Sequence, residues 1–217
     1  NINSPTFPVA KLLEESKAQY KERKKKHRDD FMSQYGSSRA AIYSISKGKL
    51  SRRFLQIPNP KHFSILSEKI SYPVVEIAAD KRSVSTNSRN VADFKNSLLK
   101  ASIDKLIEVR VDISKFYPSI YTHSVSWALL GKEKAKYYFK QKDNIEALIA
   151  RGDADAALYK YAESVDNAIR ACQERQSIGI PIGPDTSHII AEIVACRIDS
   201  ILKCKLSSID LKACRYY

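Results

Sequence analysis

The chain has 217 residues, of which 43% are hydrophobic and 28% charged, and this balance excludes a disordered chain and allows one domain or two lobes. No apolar run approaches the ~20 residues that a membrane span requires, so we expect no membrane partner. Lys and Arg number 37 against 24 Asp and Glu, and the net charge of +13 favours a polyanion such as nucleic acid. Charge alone also fits a basic protein without such a partner. Because the chain begins at Asn1 rather than Met, we expect the native N-terminus to lie elsewhere.

The chain opens with a predicted amphipathic helix over Val9–Gln34, which carries a dense run of basic residues in its middle. The run contacts nucleic acid in one interpretation and forms a solvated helix face in the other. A β-hairpin is predicted next, over Ala41–Pro58, with Gly48 in the turn and Pro58 and Pro60 ending the second strand.

The middle of the chain alternates short elements. A helix is predicted over His62–Ser71, ending ahead of Pro73, and the Ser/Asn-rich stretch Ser83–Arg89 predicts a loop. A second helix is predicted over Ala92–Ala101. A strand follows over Leu106–Ile113, where apolar and charged residues alternate with period two.

Helical patterns dominate from Ser124 to Cys172, with breaks near Gly131 and Gly152, and a Gly/Pro loop follows over Gly179–Pro184.

Asp185 is placed to cap the last helix, and a final strand is predicted over Ile209–Tyr217. The apolar stripe predicted for that helix comprises Ile189, Ile190, Ile193, Val194, Ile198 and Ile201.

The four cysteines do not form a C-x-x-C pair, and with four scattered histidines they give no zinc spacing. They are predicted to be reduced, mostly buried thiols of a cytosolic protein. The four are Cys172, Cys196, Cys204 and Cys214.

Asp112 lies at the end of the predicted strand over Leu106–Ile113, one residue before the last. Small, basic and aromatic residues follow the strand up to Ile120. A carboxylate held at a strand end suits Mg²⁺, which prefers hard oxygen ligands, and two such ions can drive nucleotidyl transfer. An aspartate after a strand also commonly caps the next turn. The residues alone leave both interpretations open.

Two further segments carry chemistry. Gln176–Ser187 is a loop constrained by Gly and Pro that runs into a helix start, where backbone can approach a nucleotide or a template base. An ordinary loop and helix cap fits the same pattern. Arg52–Pro58 places two arginines on a hairpin strand, which elsewhere is usually surface charge.

These three segments, in this order, resemble the motifs of reverse transcriptases such as those of group II introns and retrons. Val109–Ile120 is similar to the first catalytic palm motif, Gln176–Ser187 to the Pro-Gln-Gly motif, and Arg52–Pro58 to the Arg-Pro-Leu-Gly-Ile-Pro segment of the fingers. The Gly-Ile-Pro-Ile-Gly-Pro-Asp-Thr-Ser form resembles reverse transcriptases of bacterial antiviral defence and abortive infection. The resemblance covers most of the chain from Arg39 to Tyr217.

The resemblance implies roles around the palm motif. Asp112 would ligate two Mg²⁺ ions, and the Ile113 carbonyl would ligate one of them. Tyr117 would lie under the incoming sugar as a steric gate against the 2′-hydroxyl. Lys115 and Phe116 would adjoin the nucleotide, Phe116 by packing near the site.

The resemblance also implies roles outside the palm motif. Arg53 would hold the triphosphate of the incoming nucleotide, since a guanidinium binds two phosphate oxygens at once, and Lys47 and Lys49 would assist. Gln176–Ser187, the segment similar to the Pro-Gln-Gly motif, would contact template and primer, and we call it the template and primer motif. Its residues Pro181, Gly183 and Ser187 match the family.

Ile182 stands where the family usually has Gln. The departure leaves the positioning of the base pair open, and with it whether synthesis is templated.

The implied fold is α+β, with right-hand polymerase fingers, an incomplete palm and a small antiparallel sheet. The chain stops at Tyr217, where the family continues with Tyr-x-Asp-Asp. We therefore expect the Asp-Asp pair and the thumb to be absent, and we expect this chain alone to be inactive. The expected divisions are a basic helical extension over 1–40, fingers over 41–104 and 132–178, and palm over 105–131 and 179–217.

The implied function is addition of dNTPs to a primer on an RNA or DNA template by two-Mg²⁺ nucleotidyl transfer, in the bacterial cytoplasm and in antiphage defence. One alternative is template-independent DNA synthesis by the same site. Another is a non-catalytic nucleic-acid-binding or assembly module, in which Asp112 caps a strand. The exposed edge of the last strand would allow a homo-oligomer.

Overall fold

The computed structural model describes residues 17–49, 51–79 and 91–206, which form a mostly helical α+β chain with a small antiparallel sheet. The helices are α1 (Lys17–Gln34), α2 (Pro60–Ala79), α3 (Val91–Ser102), α4 (Phe116–Ser119), α5 (Ser124–Leu130), α6 (Lys132–Lys140), α7 (Ile145–Ala150), α8 (Ala154–Ala171) and α9 (Asp185–Leu206), with a 3₁₀ turn at Lys142–Asn144. The strands are β1 (Ala41–Ser46) and β2 (Arg52–Ile57). None of the helices within these ranges is long and apolar enough to cross a membrane.

The predicted hairpin is confirmed. β1 and β2 pair antiparallel, from Ala41 opposite Ile57 to Ser46 opposite Arg52. Gly48 lies in the connection with φ of +80°, a left-handed conformation that glycine adopts without steric cost.

The core is built by α2, α5, α8 and α9, which contact one another along their apolar faces. Its most deeply buried large side chains include Leu66, Val125, Ile169 and Ile190. Such burial supplies most of the stability of a small fold, roughly 1.5–3 kcal/mol for each large aliphatic side chain.

The predicted helical stretch from Ser124 to Cys172 is confirmed, with breaks at both glycines. Gly131 separates α5 from α6, and Gly152 separates α7 from α8; each has φ of +87°. The Asp153 carboxylate then caps α8 by accepting a hydrogen bond from the Ala156 N–H at 3.0 Å.

Buried His62 joins α2 to the segment between α1 and β1. Its Nε2–H donates to the Tyr35 carbonyl at 2.8 Å, and its Nδ1 accepts from the Ser38 hydroxyl at 2.8 Å. Ser38 in turn bonds through its backbone to Ala171 and Glu174 at the end of α8. The neutral imidazole therefore ties the start of the hairpin to the helical core.

The strand predicted over Leu106–Ile113 is not formed. This segment is non-helical and unpaired within the part of the chain that the structure describes, and Val111 is 89% exposed. Alternation predicts which side chains would share a face, but a strand also needs a neighbour for its backbone groups and a core for its apolar face. Glu108 and Arg110 form an exposed ion pair at 2.5 Å, as residues two apart can in an extended chain.

Helix α2 differs from the prediction because it continues through Pro73 to Ala79. Proline removes one donor, but its fixed φ near −65° is a helical value, so the chain can continue in the same course. The helix begins at Pro60, after Asn59, whose side chain accepts the Lys61 N–H at 3.0 Å.

Helix α9 departs from the prediction in two ways. Asp185 lies in the first turn and not at the cap, because the Pro184 carbonyl accepts the first backbone bonds, from Ser187 and His188. The predicted stripe is only partly buried. Ile190 and Ile193 lie in the core, whereas Ile198 and Ile201 are more than 40% exposed.

The remaining element predictions divide by position. The first predicted helix is confirmed as α1 over Lys17–Gln34, but it is not amphipathic as predicted, because polar and charged residues surround it and most of its described side chains are exposed. The helix over Ala92–Ala101 is confirmed as α3. Residues 9–16, the loop over Ser83–Arg89 and the strand over Ile209–Tyr217 lie outside the described residues.

Among the cysteines, Cys172 and Cys196 are buried, as predicted, while Cys204 is exposed and Cys214 lies outside the described residues. Burial raises the pKa of the Cys172 thiol to about 12, so this thiol remains protonated and unreactive at neutral pH.

Because of His62, we expect the free energy of unfolding to decrease as the pH is lowered. Burial lowers its pKa, and the Tyr35 carbonyl only partly opposes that effect. Below about pH 6.5 the unfolded chain binds a proton that the folded chain does not, so this contribution is present above pH 6.5 and is lost as pH falls. Urea unfolding at pH 7.5, 6.5 and 5.5 should show a flatter pH dependence for His62→Gln. At pH 7.5 the substitution should cost about 1–3 kcal/mol. The control is His188→Gln at an exposed site, and equal slopes in wild type and His62→Gln would refute the role.

Candidate nucleotide and nucleic-acid site

Residues 117–122 and the segment Gln176–Ser187, which contains the Gly/Pro loop, are distant in sequence but hydrogen-bonded to each other through their backbones. The Thr122 N–H donates to Ser177 at 2.8 Å, the Gly179 N–H to Ile120 at 2.8 Å, and the Ile180 N–H to Tyr117 at 3.0 Å. Tyr121 and Ile178 form an isolated antiparallel bridge between these bonds. Residues 117–122 and 177–180 are therefore fixed side by side.

Gly179 permits this close approach. Its φ is +86°, and a Cβ built there would lie 3.3 Å from the Pro118 carbonyl oxygen. Any side chain at this position would meet both backbone strain and crowding.

The hairpin joins the same place through Gln56. Its backbone N–H donates to the Ile182 carbonyl at 2.8 Å, and its side-chain oxygen accepts from the Ile182 N–H at 3.2 Å. Gly183, with φ of +120°, lies against Leu55, which would be 3.4 Å from an added Cβ. Three segments separated by up to about 130 residues thus meet at one site.

Arg53 lies on the side of the hairpin that faces the Gly/Pro loop. Side chains alternate along β2, so Arg53 shares a face with Leu55, the residue against Gly183. Arg52 faces the other way and bonds to Ser44 through its Nε at 2.7 Å. Arg53, Lys47 and Lys49 are exposed to solvent.

The segment over residues 109–120 has an exposed first half, up to Lys115, and a second half that packs against the core. Asp112 and Ile113 are exposed, and Lys115, with φ of +52°, turns the chain into α4. Phe116 and Tyr117 are half-buried and pack against the main core. Asp112 is therefore not fixed by a paired strand, whereas the residues after Lys115 are fixed.

The environment of Tyr117 differs from that of an exposed phenol. Burial raises its pKa, and the negative charge of Glu192 raises it further. The Glu192 carboxylate is itself buried in α9 and accepts a hydrogen bond from the Cys196 thiol at 3.3 Å.

Residues of the template and primer motif lie at different depths. Pro181 and Ser187 are buried, Ile182 is half-buried and Gly183 is exposed. The loop therefore offers backbone and Gly183 to solvent, while Ser187 packs at the start of α9.

The sequence patterns did not identify the pair formed by His123 and Asp166. His123 Nδ1 lies 2.8 Å from Asp166 Oδ2, and the second Asp166 oxygen is buried and has no hydrogen-bond partner among the residues that the structure describes. Asp166 occupies α8 between Val165 and Ile169, which are core residues. A carboxylate within the apolar stripe of an amphipathic helix is the signal that could have found it.

The described residues do not by themselves assemble a cluster of metal ligands. Nowhere within 17–49, 51–79 and 91–206 do three or more His, Cys, Asp or Glu side chains gather as a metal ion requires. Asp112 is a single exposed carboxylate on an unpaired segment.

Comparison of the sequence with models of known protein families gives no match, and comparison with curated proteins gives none either.

Gly183→Ala should loosen the hairpin from the Gly/Pro loop. The substitution adds a Cβ against Leu55 at a backbone conformation that alanine rarely adopts, so we expect a loss of about 1–3 kcal/mol. Hydrogen–deuterium exchange should become faster at the Gln56 amide, which donates to Ile182. Gly152→Ala is the matched control, with similar strain in open space, and should leave Gln56 protected. Equal exchange at Gln56 in the two variants would contradict the docking role of Gly183.

Proposed function

We propose that this chain forms the fingers and part of the palm of an RNA-directed DNA polymerase that extends a primer with dNTPs. The observation that carries the proposal is the convergence of three segments that each resemble a reverse-transcriptase motif. Backbone bonds join residues 117–122 to 177–180, and Gln56 joins the hairpin to Ile182. Unrelated loops with chance resemblances have no reason to meet at one site.

The proposed nucleotide contacts begin on the hairpin. Arg53 is exposed on the face that leads to Gly183, and a guanidinium there can bind two phosphate oxygens of a triphosphate. Lys47 and Lys49, at the hairpin connection, add positive charge for the same group. The Arg52 side chain is engaged with Ser44 and does not share this role.

The proposed sugar contact is the ring of Tyr117. Packing against the core holds this residue, and its carbonyl accepts the Ile180 N–H. A ring held in this way can exclude a 2′-hydroxyl by its bulk, which requires a fixed position more than a strong interaction.

Two Mg²⁺ ions would supply activation of the 3′-hydroxyl and stabilisation of the leaving pyrophosphate. Of the described residues, Asp112, with the Ile113 carbonyl, supports the proposal as one part of the ligand set. Two ions need further carboxylates, since one aspartate neither neutralises nor encloses them. The proposed setting in bacterial antiphage defence rests on the form of the Gly179 to Ser187 motif alone.

Asp112→Asn should abolish primer extension by a protein in which this chain is extended with a strand that carries the Asp-Asp pair. The change removes one negative charge from a hard-oxygen ligand set, and the loss of several kcal/mol of transition-state stabilisation corresponds to roughly a 10³-fold lower rate. Incorporation of dNTPs on a primed RNA template with Mg²⁺ measures the effect. Asp143→Asn, at another exposed aspartate, is the control and should retain activity. Synthesis at the wild-type rate by Asp112→Asn would show that Asp112 is not a ligand of the catalytic metal ions.

Tyr117→Val should relax the choice between deoxyribonucleotides and ribonucleotides. Removal of the ring opens space for a 2′-hydroxyl, and we expect roughly a tenfold or larger rise in relative rNTP incorporation. Tyr117→Phe keeps the ring and should keep the discrimination. The ratio of kcat/KM for dTTP and UTP provides the measurement, and an unchanged ratio in Tyr117→Val would remove this residue from the gate.

A further inference from the structure

Three rings form a continuous strip on the surface next to the Gly/Pro loop. The Tyr121 ring lies 4.8 Å from the His123 ring and 5.9 Å from the Trp127 ring, and Lys132 Nζ lies 5.6 Å from the Trp127 centroid. We call Tyr121, His123, Trp127 and Lys132 the aromatic strip. Tyr121 is 40% exposed, and His123 and Trp127 are partly exposed.

Two contacts position parts of the strip. The backbone of Tyr121 bridges Ile178, and the buried Asp166 carboxylate lies 2.8 Å from His123 Nδ1. Rings that are fixed before a ligand arrives lose little conformational freedom on binding. The strip is therefore organised as a stacking surface in the absence of any ligand.

The rings of the strip differ from a fully buried aromatic residue. Tyr138, on neighbouring α6, is what a structural tyrosine looks like in this fold: it is buried, and its hydroxyl lies within 3.0 Å of both Asp153 oxygens. Tyr121 instead is 40% exposed and lies beside the partly exposed rings of His123 and Trp127.

Positive charge continues from the strip along α6. Lys132, Lys136 and Lys140 recur every four residues, which places them on one helix face. Glu133 adds one negative charge to this helix, and Lys134 is bonded to Asp155 at 2.6 Å. A row of cations beside a row of rings matches the alternation of phosphates and bases in a single strand.

We infer that the aromatic strip and the lysine face of α6 bind single-stranded nucleic acid, with bases stacked on Tyr121 and Trp127 and phosphates near Lys132, Lys136 and Lys140. This inference deepens the proposed function, on which it rests for the identity of the strand as substrate. It assigns a path for an unpaired strand next to residues 177–180. An intact duplex keeps its bases stacked inside and cannot use the rings.

The chain contains a single tryptophan, so the emission of Trp127 reports on the strip alone. We expect a thymidine 12-mer or a uridine 12-mer, added without Mg²⁺ or dNTP, to quench this emission on binding. Inorganic polyphosphate of equal charge should not quench it, because it carries no bases. A duplex of the same length should quench it much less.

Substitutions separate stacking from general charge. Tyr121→Ala should weaken binding of the labelled 12-mer about tenfold, and Lys132→Gln about threefold, as measured by fluorescence anisotropy. Lys160→Gln is the matched control, since Lys160 is bonded to Glu146 on the exposed side of α8, and should leave affinity unchanged.

Three results would overturn the inference: quenching by polyphosphate as strong as by the 12-mers, wild-type affinity in Tyr121→Ala, or an equal loss in Lys160→Gln and Lys132→Gln. Far-ultraviolet circular dichroism of each variant checks that the fold is retained. Because the titration contains neither Mg²⁺ nor dNTP, Asp112→Asn should bind normally. A failed polymerase assay with intact quenching would thus refute the proposed function and leave the strip in place.

Discussion

The contact between Gly179 and Pro118 is the constraint on which the rest of the site depends. Hydrogen bonds from Gly179 and Ile180 to residues 117–120 bring the two backbones so close that a Cβ at position 179 would lie 3.3 Å from the Pro118 carbonyl oxygen. That contact fixes the loop over residues 176–183 against residues 117–120. The hairpin is then positioned through Gln56, because its partner Ile182 lies in the same loop. A single glycine thereby sets where the exposed Arg53 lies relative to Tyr117.

Local rules predicted those elements that local chemistry determines. The hairpin turn at Gly48 needs a positive φ, and the breaks at Gly131 and Gly152 need the same, so composition alone located them. The strand over Leu106–Ile113 failed for the opposite reason. Period-two alternation describes a chain that could pair, and pairing depends on a neighbour that the segment itself does not encode. Likewise, Ile198 and Ile201 continue an apolar stripe that the described residues leave exposed.

The sequence predicted which residues belong to the candidate site better than it predicted how those residues are arranged. Arg53, Tyr117 and Gly183 were identified by resemblance, yet nothing in the sequence reveals that Gln56 provides the joint between hairpin and loop, since glutamine in a strand has no distinctive pattern. The pair of His123 and Asp166 was missed because the two residues are more than 40 positions apart, His123 directly before α5 and Asp166 within α8. Long-range pairs of this kind become visible only when the helices pack.

Two buried carboxylates lie behind the site, and their cost supports a role beyond packing. Asp166 and Glu192 are each about 95% buried, and one Asp166 oxygen has no hydrogen-bond partner among the described residues. A buried carboxylate lowers stability unless something compensates for its desolvation, and an apolar residue in α8 or α9 would avoid that cost. Asp166 holds His123, and Glu192 acts on Tyr117 through its charge. Both carboxylates thus act on side chains of the segment 117–123, which is the segment that the Gly/Pro loop fixes from the other side. The described residues thus place two buried carboxylates behind the same seven residues, where Asp166 lies 2.8 Å from His123 Nδ1 and the charge of Glu192 raises the pKa of Tyr117.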